Sequence, residues 1–274
     1  MEGLIDTASL KHTAFNRRLT VLDMVYHAKA GHIGGSMSCM DILTVLYDVV
    51  MDAEKIKRHT SDRDRFILSK GHCAEALYAV LADKGFITPS ELKTFGKFNT
   101  TLAEHPTKHI PGVELATGAL GHGLSAGVGM ALGLKHTAAK TYVLMGDGEL
   151  AEGSVWEAAM AASAFKLKNL TAIIDRNHLQ ISGGTETVMP LESLTDKWDA
   201  FGWQVHECDG NNIDQIVQAL KNDSGKPLVL IAHTVKGYGS SLMEHKTDWH
   251  HNIPNETEYE QIKAELIYRR DGHE

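Results

Sequence analysis

The chain has 274 residues, 43% of them apolar, which is ample for a single large core. Its net charge of −8, with no Lys/Arg-rich segment, leaves no electrostatic footprint for nucleic acid. No run of about 18 apolar residues occurs, and the start MEGLIDTASLKHTAF lacks a basic stretch leading into an apolar one, so neither a membrane span nor export is expected and the location expected is cytoplasmic.

Residues 9–30 and 37–50 carry amphipathic helix patterns, with a break expected at Gly31-His32-Ile33-Gly34-Gly35, where glycines disfavour continuing the helix. His32 is thereby expected on a connecting loop. After a polar stretch, Arg65 to Ser69 reads as a short strand, followed by Gly71-His72 and a helix to about Asp83, which sets His72 at a strand end. Thr88-Pro89-Ser90-Glu91 is a capping box with proline at the first helical position. Gly96 to Gly118 shows little periodicity; long loops of this kind in compact domains usually carry function, and this one holds His105. Residues 119–134 mix small residues with Leu, Val and Met, a pattern for a closely packed internal helix.

Thr141 to Gly146 is a continuous apolar run of the kind that forms a strand buried on both faces of a parallel sheet, and Gly146-Asp147-Gly148 stops it. Ser154 to Phe165 is an Ala-rich helix and Leu170 to Asp175 a second strand. Such strand-helix-strand units cross over right-handedly and bind ligands outside the carboxyl ends of their strands, where Asp147 and Asn177 fall. A hard divalent cation takes oxygen ligands, so Asp147, Asn177 and a nearby carbonyl suit Mg²⁺, and the glycines let backbone approach phosphates. Gly-Asp-Gly alone is an ordinary turn. With Asn177 at the end of the next strand it reads as a cradle for a metal-bound diphosphate. Residues 204–208, 212–221 and 227–233 repeat the strand-helix-strand rhythm, and 183–193 and 236–254 are irregular loops. The expected fold class is α/β, a mostly parallel sheet flanked by helices, in one domain over residues 1–274.

Cys39, Cys73 and Cys208 are odd in number and form no CxxC pair, so they read as reduced and packed rather than as disulfides or a thiolate zinc site. Sixteen histidines is a high count. Four of them, His32, His72, His105 and His250, fall in Gly- or Pro-containing loops placed to meet above the sheet. Any one alone reads as a packed or surface histidine. Beside a diphosphate cradle, the four together suit hydrogen bonding to sugar hydroxyls and proton transfer near neutral pH.

The stretch GDGELAEGSVWEAAMAASAFKLKNLTAIIDRN resembles the thiamine diphosphate motif, and more narrowly that of the transketolase family. The likeness extends to AGHIGGSMS at 30–38, LSKGHCAEALYAVL at 68–81, EHP at 104–106, TGALGHGLSAGVGMALG at 117–133 and TVKGYGS with Trp249-His250 downstream. It implies a thiamine diphosphate-binding fold, thiamine diphosphate with Mg²⁺ (or Ca²⁺ or Mn²⁺) as cofactors, and transfer of a two-carbon ketol group from a ketose phosphate to an aldose phosphate in pentose phosphate metabolism. Carried over residue by residue, it implies His32 and His105 on the ketose donor, His72 on cofactor and substrate, and His250 near the diphosphate and a substrate hydroxyl. It implies Asp147, the side chain of Asn177 and the carbonyl of Leu179 on the metal, and Gly148 and Lys236 on the diphosphate. Ile181 would pack near the thiazolium, with Gly118, Ala119 and Leu120 along the cofactor's rings. Glu152 matches an acid of the subunit interface, although a helix-start acid favoured by the macrodipole would look the same. The chain departs from the pattern at Ile33 (Pro in many members), Ala119 (Pro or Ser), His122 (Gln) and His251 (Gly), none of them a metal or diphosphate ligand. His122 and His251 could reshape the acceptor pocket or, with His245, take a stray transition metal; a pocket or packing role is preferred.

The resemblance covers only the amino-terminal half of full-length transketolases, whose second half carries the pyrimidine-binding domain and the glutamate that activates the cofactor. It therefore implies a separate partner subunit, with α₂β₂ assembly, and little or no activity of this chain alone. An α chain of a 2-oxo acid dehydrogenase is a second reading, which the histidine set and the Trp-His pair argue against. A cofactor-binding regulatory protein is a third, and a sulfonated or branched sugar substrate remains open because the family's phosphate-gripping residues lie largely in its other half.

Overall fold

A computed structural model describes residues 5–221 and 224–273; the first four residues of the start quoted above lie outside them. Asp6 opens helix α1 (Thr7–Ala28) by accepting from the Ser9 N–H, and Lys29 closes it in the left-handed conformation. There follow α2 (Ile33–Ser38), α3 (Met40–Val45), a π-helical turn over Leu46–Val50, and α4 (Ala53–Lys57), capped by Asp52. Strand β1 (Arg65–Leu68) leads through a 3₁₀ turn at Gly71–Cys73 into α5 (Ala74–Asp83), and the expected capping box opens α6 (Pro89–Leu92). A long loop leads to α7 (His122–Gly133), β2 (Thr141–Gly146), a 3₁₀ turn at Gly148–Ala151, α8 (Gly153–Ala164) and β3 (Leu170–Arg176). A short hairpin of β4 (Leu179–Gln180) and β5 (Gly183–Gly184) precedes α9 (Thr185–Val188), α10 (Leu194–Ala200), β6 (Gln204–Asp209), α11 (Ile213–Ala219) and β7 (Leu228–His233). The described chain ends with a 3₁₀ turn at Thr247–His250 and α12 (Glu256–Arg270).

Five strands form one parallel sheet in the order β1-β2-β3-β7-β6, so all carboxyl ends share one edge. Successive residues of each strand feed opposite cores. Phe66, Leu68, Tyr142, Leu144, Ile173 and Leu230 pack beneath α1, α3, α5, α11 and α12, while Ile67, Val143, Met145, Ile174, Val229 and Ile231 pack beneath α7, α8 and α10. Burial on both faces is why β1, β2, β3 and β7 read as apolar runs without alternation, whereas the edge strand β6 is polar and half-exposed.

The break after α1 falls earlier than the glycines suggest. It is made at Lys29 and Gly31 (φ 131°), and Gly34 and Gly35 are helical within α2. Their missing side chains serve packing: a Cβ on Gly34 would meet the Trp249 carbonyl oxygen at 2.5 Å, and one on Gly35 would meet Cys73 Sγ at 2.7 Å. His32 lies, as expected, in the short connection between α1 and α2, as the residue that immediately precedes α2. Helices α10 and α12 are not anticipated by pattern. The first is short, and the second buries only Tyr259, Ile262 and Leu266 among many charges.

Candidate active site

The carboxyl edge of the sheet opens into a cavity of about 440 Å³. Strand β1 delivers Lys70 and His72 to it, β2 delivers Gly146 to Glu149, β3 delivers Asn177 and the hairpin residues Leu179 to Ser182, and the segment after β7 delivers Lys236. His32, His105, Gly118, Leu120 and His250 close it from the loops above. Of the residues singled out from sequence, Ala119 is exposed between two lining residues, and Ile181 stands 75% exposed at the rim. Glu152 lies outside the cavity, exposed at the N-cap of α8 with no capping hydrogen bond from its side chain.

Three oxygens form the floor of the cradle. Asp147 is buried; its Oδ1 accepts from the Gly148 N–H at 2.8 Å, and its Oδ2 accepts from the His178 N–H at 2.6 Å and from Arg176 at 3.1 Å. Asn177 Oδ1 accepts from the Leu179 N–H at 3.2 Å, and the Leu179 carbonyl accepts from Lys236 Nζ at 3.4 Å. A carboxylate, an amide oxygen and a carbonyl are the hard donor set a small divalent cation prefers. Burial, with Asp175 adding, raises the Asp147 pKa to about 6, which is what a carboxylate lacking a sufficient counter-charge should show. Lys236 is its complement: burial, with Lys70 adding, lowers its pKa to about 8. A buried acid and a buried ammonium, each shifted toward its neutral form, leave favourable terms for a cation at one and an anion at the other.

Beneath this floor Asp175 ties four chain segments together. It accepts from Lys70 Nζ, from Ser38 Oγ at 2.7 Å, from Thr234 Oγ1 and from Asn177 Nδ2 at 3.3 Å. Glu149 does the same on the other side, accepting from Ser69 Oγ, from the Gly121 N–H at 2.8 Å and from the Gly146 N–H at 3.2 Å. Arg176 fixes the loop after the hairpin through Thr185 at 2.6 Å, Glu186 at 2.7 Å and Glu192 at 2.8 Å. Satisfied networks of this kind rigidify a site. Sequence patterns do not single out Asp175, Glu149, Arg176 or Lys70; the signal available was charged residues directly flanking apolar strands and the Gly-Asp-Gly turn.

The four expected histidines do converge. Ring centroids of His32 lie 5.4 Å from His72, 5.9 Å from His105 and 5.5 Å from His250, and His72 stacks on His250 at 5.3 Å. Gly118 (φ 148°) abuts the His105 ring, which a Cβ would meet at 2.9 Å. Burial lowers the pKa of His32 to about 4 and that of His250 to about 3, with Lys236 adding to the latter, and it lowers His105 as well. These three rings are therefore neutral at pH 7, each with one donor and one acceptor nitrogen. Glu75, also unanticipated, positions His32: it is fully buried and accepts from the His32 N–H at 2.7 Å and from Ser36 Oγ at 3.1 Å. His251 joins this group, 4.5 Å from His32, whereas His122 turns to the Leu120 carbonyl and His245 is exposed elsewhere on the loop.

Comparison with known proteins gives this arrangement a family. The family described as "Transketolase, thiamine diphosphate binding domain" matches residues 10–272. A protein of Phocaeicola vulgatus named as one subunit of an apulose-4-phosphate transketolase is 50% identical over 270 residues, covering 97% of this chain and 95% of its own. A 6-deoxy-6-sulfo-D-fructose transketolase subunit of Clostridium sp. is 41% identical, covering 94% and 96%. The solved transketolase of Leishmania mexicana superposes with a TM-score of 0.88 at 31% identity over 94% of this chain, which spans only 41% of that one. The chain belongs to the transketolase family, and its parallel sheet is that family's thiamine diphosphate-binding domain.

Proposed function

We propose that this chain is the amino-terminal subunit of a two-chain transketolase, acting as one domain and transferring a two-carbon ketol unit from a ketose to an aldose together with a second subunit. The observation that carries the reading is the convergence of four histidines over the Asp147, Asn177 and Leu179 oxygens at the carboxyl edge of a parallel sheet. Both relatives described above that match nearly end to end are named as subunits.

The residues present fit thiamine diphosphate with Mg²⁺. Side-chain-free Gly146 and Gly148 line the cavity beside the oxygen set, and Lys236 offers a desolvated ammonium to a diphosphate. Asp147, Asn177 Oδ1 and the Leu179 carbonyl would hold the metal, Gly148 and Lys236 the diphosphate, and Gly118, Ala119, Leu120 and Ile181 the rings. When bound, this cofactor supplies the nucleophilic carbon and electron sink for carbon–carbon cleavage. The chain's own contribution is binding and orientation. Lys236 donates to His250 Nδ1 at 2.9 Å, which leaves Nε2–H to donate into the cavity. His72 stacks on that ring and would reach both cofactor and substrate. His32 and His105, neutral and adjacent, match the paired hydroxyls of a ketose donor and can pass a proton at its oxygens.

The partner has a surface to meet. On the adjoining helices α7 and α8, Leu132 and Met160 are 42% and 52% exposed, Phe165 at the C-cap of α8 is 47% exposed, and nothing lies within 4 Å of where a side chain would start at Gly129, Gly133 or Gly153. Glu152 sits at the edge of this face and would meet the partner there. Large exposed apolar side chains on a face with room for close helix approach suit a stable subunit interface.

The substrate reading favoured by similarity is a modified sugar: a sugar phosphate, as the apulose-4-phosphate in the name of the 50% identical relative is, with a sulfonated or a branched sugar as the alternatives. The deciding experiment is reconstitution of this chain with the second subunit from its source cells, with thiamine diphosphate and Mg²⁺, on ketose phosphates, branched ketose phosphates and sulfosugars. Ketol transfer that requires both chains supports the proposal. Cofactor binding with no transfer on any sugar would favour a regulatory protein instead.

A further inference from the structure

The function proposed above gives no role to Glu104 or His251. Glu104 Oε2 lies 3.4 Å from His251 Nε2 and 4.0 Å from His32 Nδ1. Ligand atoms of the three residues all fall within 4.8 Å of one another, and among the described residues no other group of His, Cys, Asp and Glu meets that condition. His32 Nδ1 is buried and has no hydrogen-bond partner. In the tautomer with its proton on Nε2, that nitrogen presents a lone pair to a metal. The other two side chains reach it from separate loops and are exposed enough to turn, His251 at 54% and Glu104 at 36%.

We propose that His32, Glu104 and His251 form a transition-metal site at the mouth of the cavity, taking Zn²⁺ or a similar borderline divalent cation through two imidazole nitrogens and one carboxylate oxygen. Zinc bonds of about 2.0–2.2 Å set tetrahedral ligands roughly 3.3–3.5 Å apart. The Glu104–His251 pair has that spacing, and small turns of two exposed side chains bring His32 into it. Two nitrogens and one oxygen suit zinc, cobalt or nickel, whereas the oxygen-only set of Asp147, Asn177 and Leu179 suits Mg²⁺, so the two sites select different ions. A fourth position stays open to water or a sugar hydroxyl. One consequence rests on the proposed function: a metal on His32 removes a nitrogen that faces the ketose donor, so Zn²⁺ inhibits ketol transfer.

The test uses Co²⁺ as a visible probe and Zn²⁺ as competitor on the full chain, in excess Mg²⁺ and thiamine diphosphate. One Co²⁺ per chain is expected, displaced by Zn²⁺, with affinity weakened at least about tenfold by His251→Ala and by Glu104→Gln and retained by Asp147→Asn. Equal affinity in the natural chain, His251→Ala and Glu104→Gln, or loss confined to Asp147→Asn, overturns the site. Inhibition of the reconstituted assembly by Zn²⁺ should be relieved at least tenfold by His251→Ala. Unaltered inhibition there would overturn the inhibitory consequence, and the Co²⁺ titration reports on the site independently of any ketol transfer.

Discussion

Lys236 and His250 share one hydrogen bond at 2.9 Å, and the lysine adds to what holds the imidazole away from its ordinary protonation equilibrium. The ammonium contributes to the low pKa of His250, about 3, behind the larger effect of burial, and fixes Nδ1 as the acceptor. Lys236→Met should therefore raise the His250 pKa, leave it below 6.5 because burial remains, and free its tautomer. Long-range ¹H–¹⁵N spectra of the imidazoles report both; an unmoved His250 resonance would mean the contact does not govern the ring.

Affinity for thiamine diphosphate with Mg²⁺ should have two pH limbs. A metal ligand must be ionised, so protonation of Asp147 weakens binding as pH falls through about 6; a diphosphate partner must be charged, so deprotonation of Lys236 weakens it as pH rises through about 8. Each limb should approach tenfold per pH unit. Calorimetric titration from pH 5 to 9 measures both, and Lys236→Met should abolish the alkaline limb alone.

Glu75 makes stability itself pH-dependent. Burial, with Cys73 adding, raises its pKa from 4.5 to about 8, so between those values the folded chain holds a proton that the unfolded chain has released. Stability from this group is full below about 4.5, falls as pH rises to about 8 and is flat beyond, by on the order of 5 kcal/mol in all. Gln can turn its amide nitrogen toward the Ser36 hydroxyl and keep accepting from the His32 N–H. Urea unfolding of the cofactor-free chain at several pH values should show a shallower decline in Glu75→Gln, and parallel curves would refute this.

The parallel sheet and the diphosphate cradle were legible because their signals are local: apolar runs of strand length, a Gly-Asp-Gly stop, and Asn177 at the next strand end. The histidines were legible through their glycine-rich neighbours. What holds them was not. Asp175 bonds to Ser38, Lys70 and Thr234, partners 137, 105 and 59 residues away in sequence, and no pattern in one segment encodes such a knot. The break before α2 lies away from Gly34 and Gly35 for the same reason: Gly34 is small because of Trp249, far downstream, and not because the helix must stop there.

Single exchanges of His32 and His105 for Ala should lower ketol transfer by the reconstituted enzyme about 10²- to 10⁴-fold, the usual range for a proton-transferring side chain, while changing diphosphate affinity little. Steady-state rates and cofactor titration on the same preparations separate the two effects. Undiminished rates would remove both residues from the donor site.

Met160→Asp places a charge on the exposed face of α7 and α8 without touching the core. Melting of the chain alone should stay nearly constant, while association with the second subunit, read by sedimentation velocity, should weaken at least tenfold. Unchanged association would put the interface elsewhere.

Gly34 carries one more implication. Its carbonyl accepts from the Gly237 N–H at 2.9 Å, and its missing Cβ admits the Trp249 backbone, so the loop bearing His250 and His251 is seamed to the helix that follows His32. The entrance cannot swing open on one strap alone: α2 and that loop must shift as a single wall. Anyone widening this enzyme's substrate range would do better trading the side chains at 104 and 251 than loosening the backbone between 234 and 250, where slack on one side of the seam misaligns the histidines on the other.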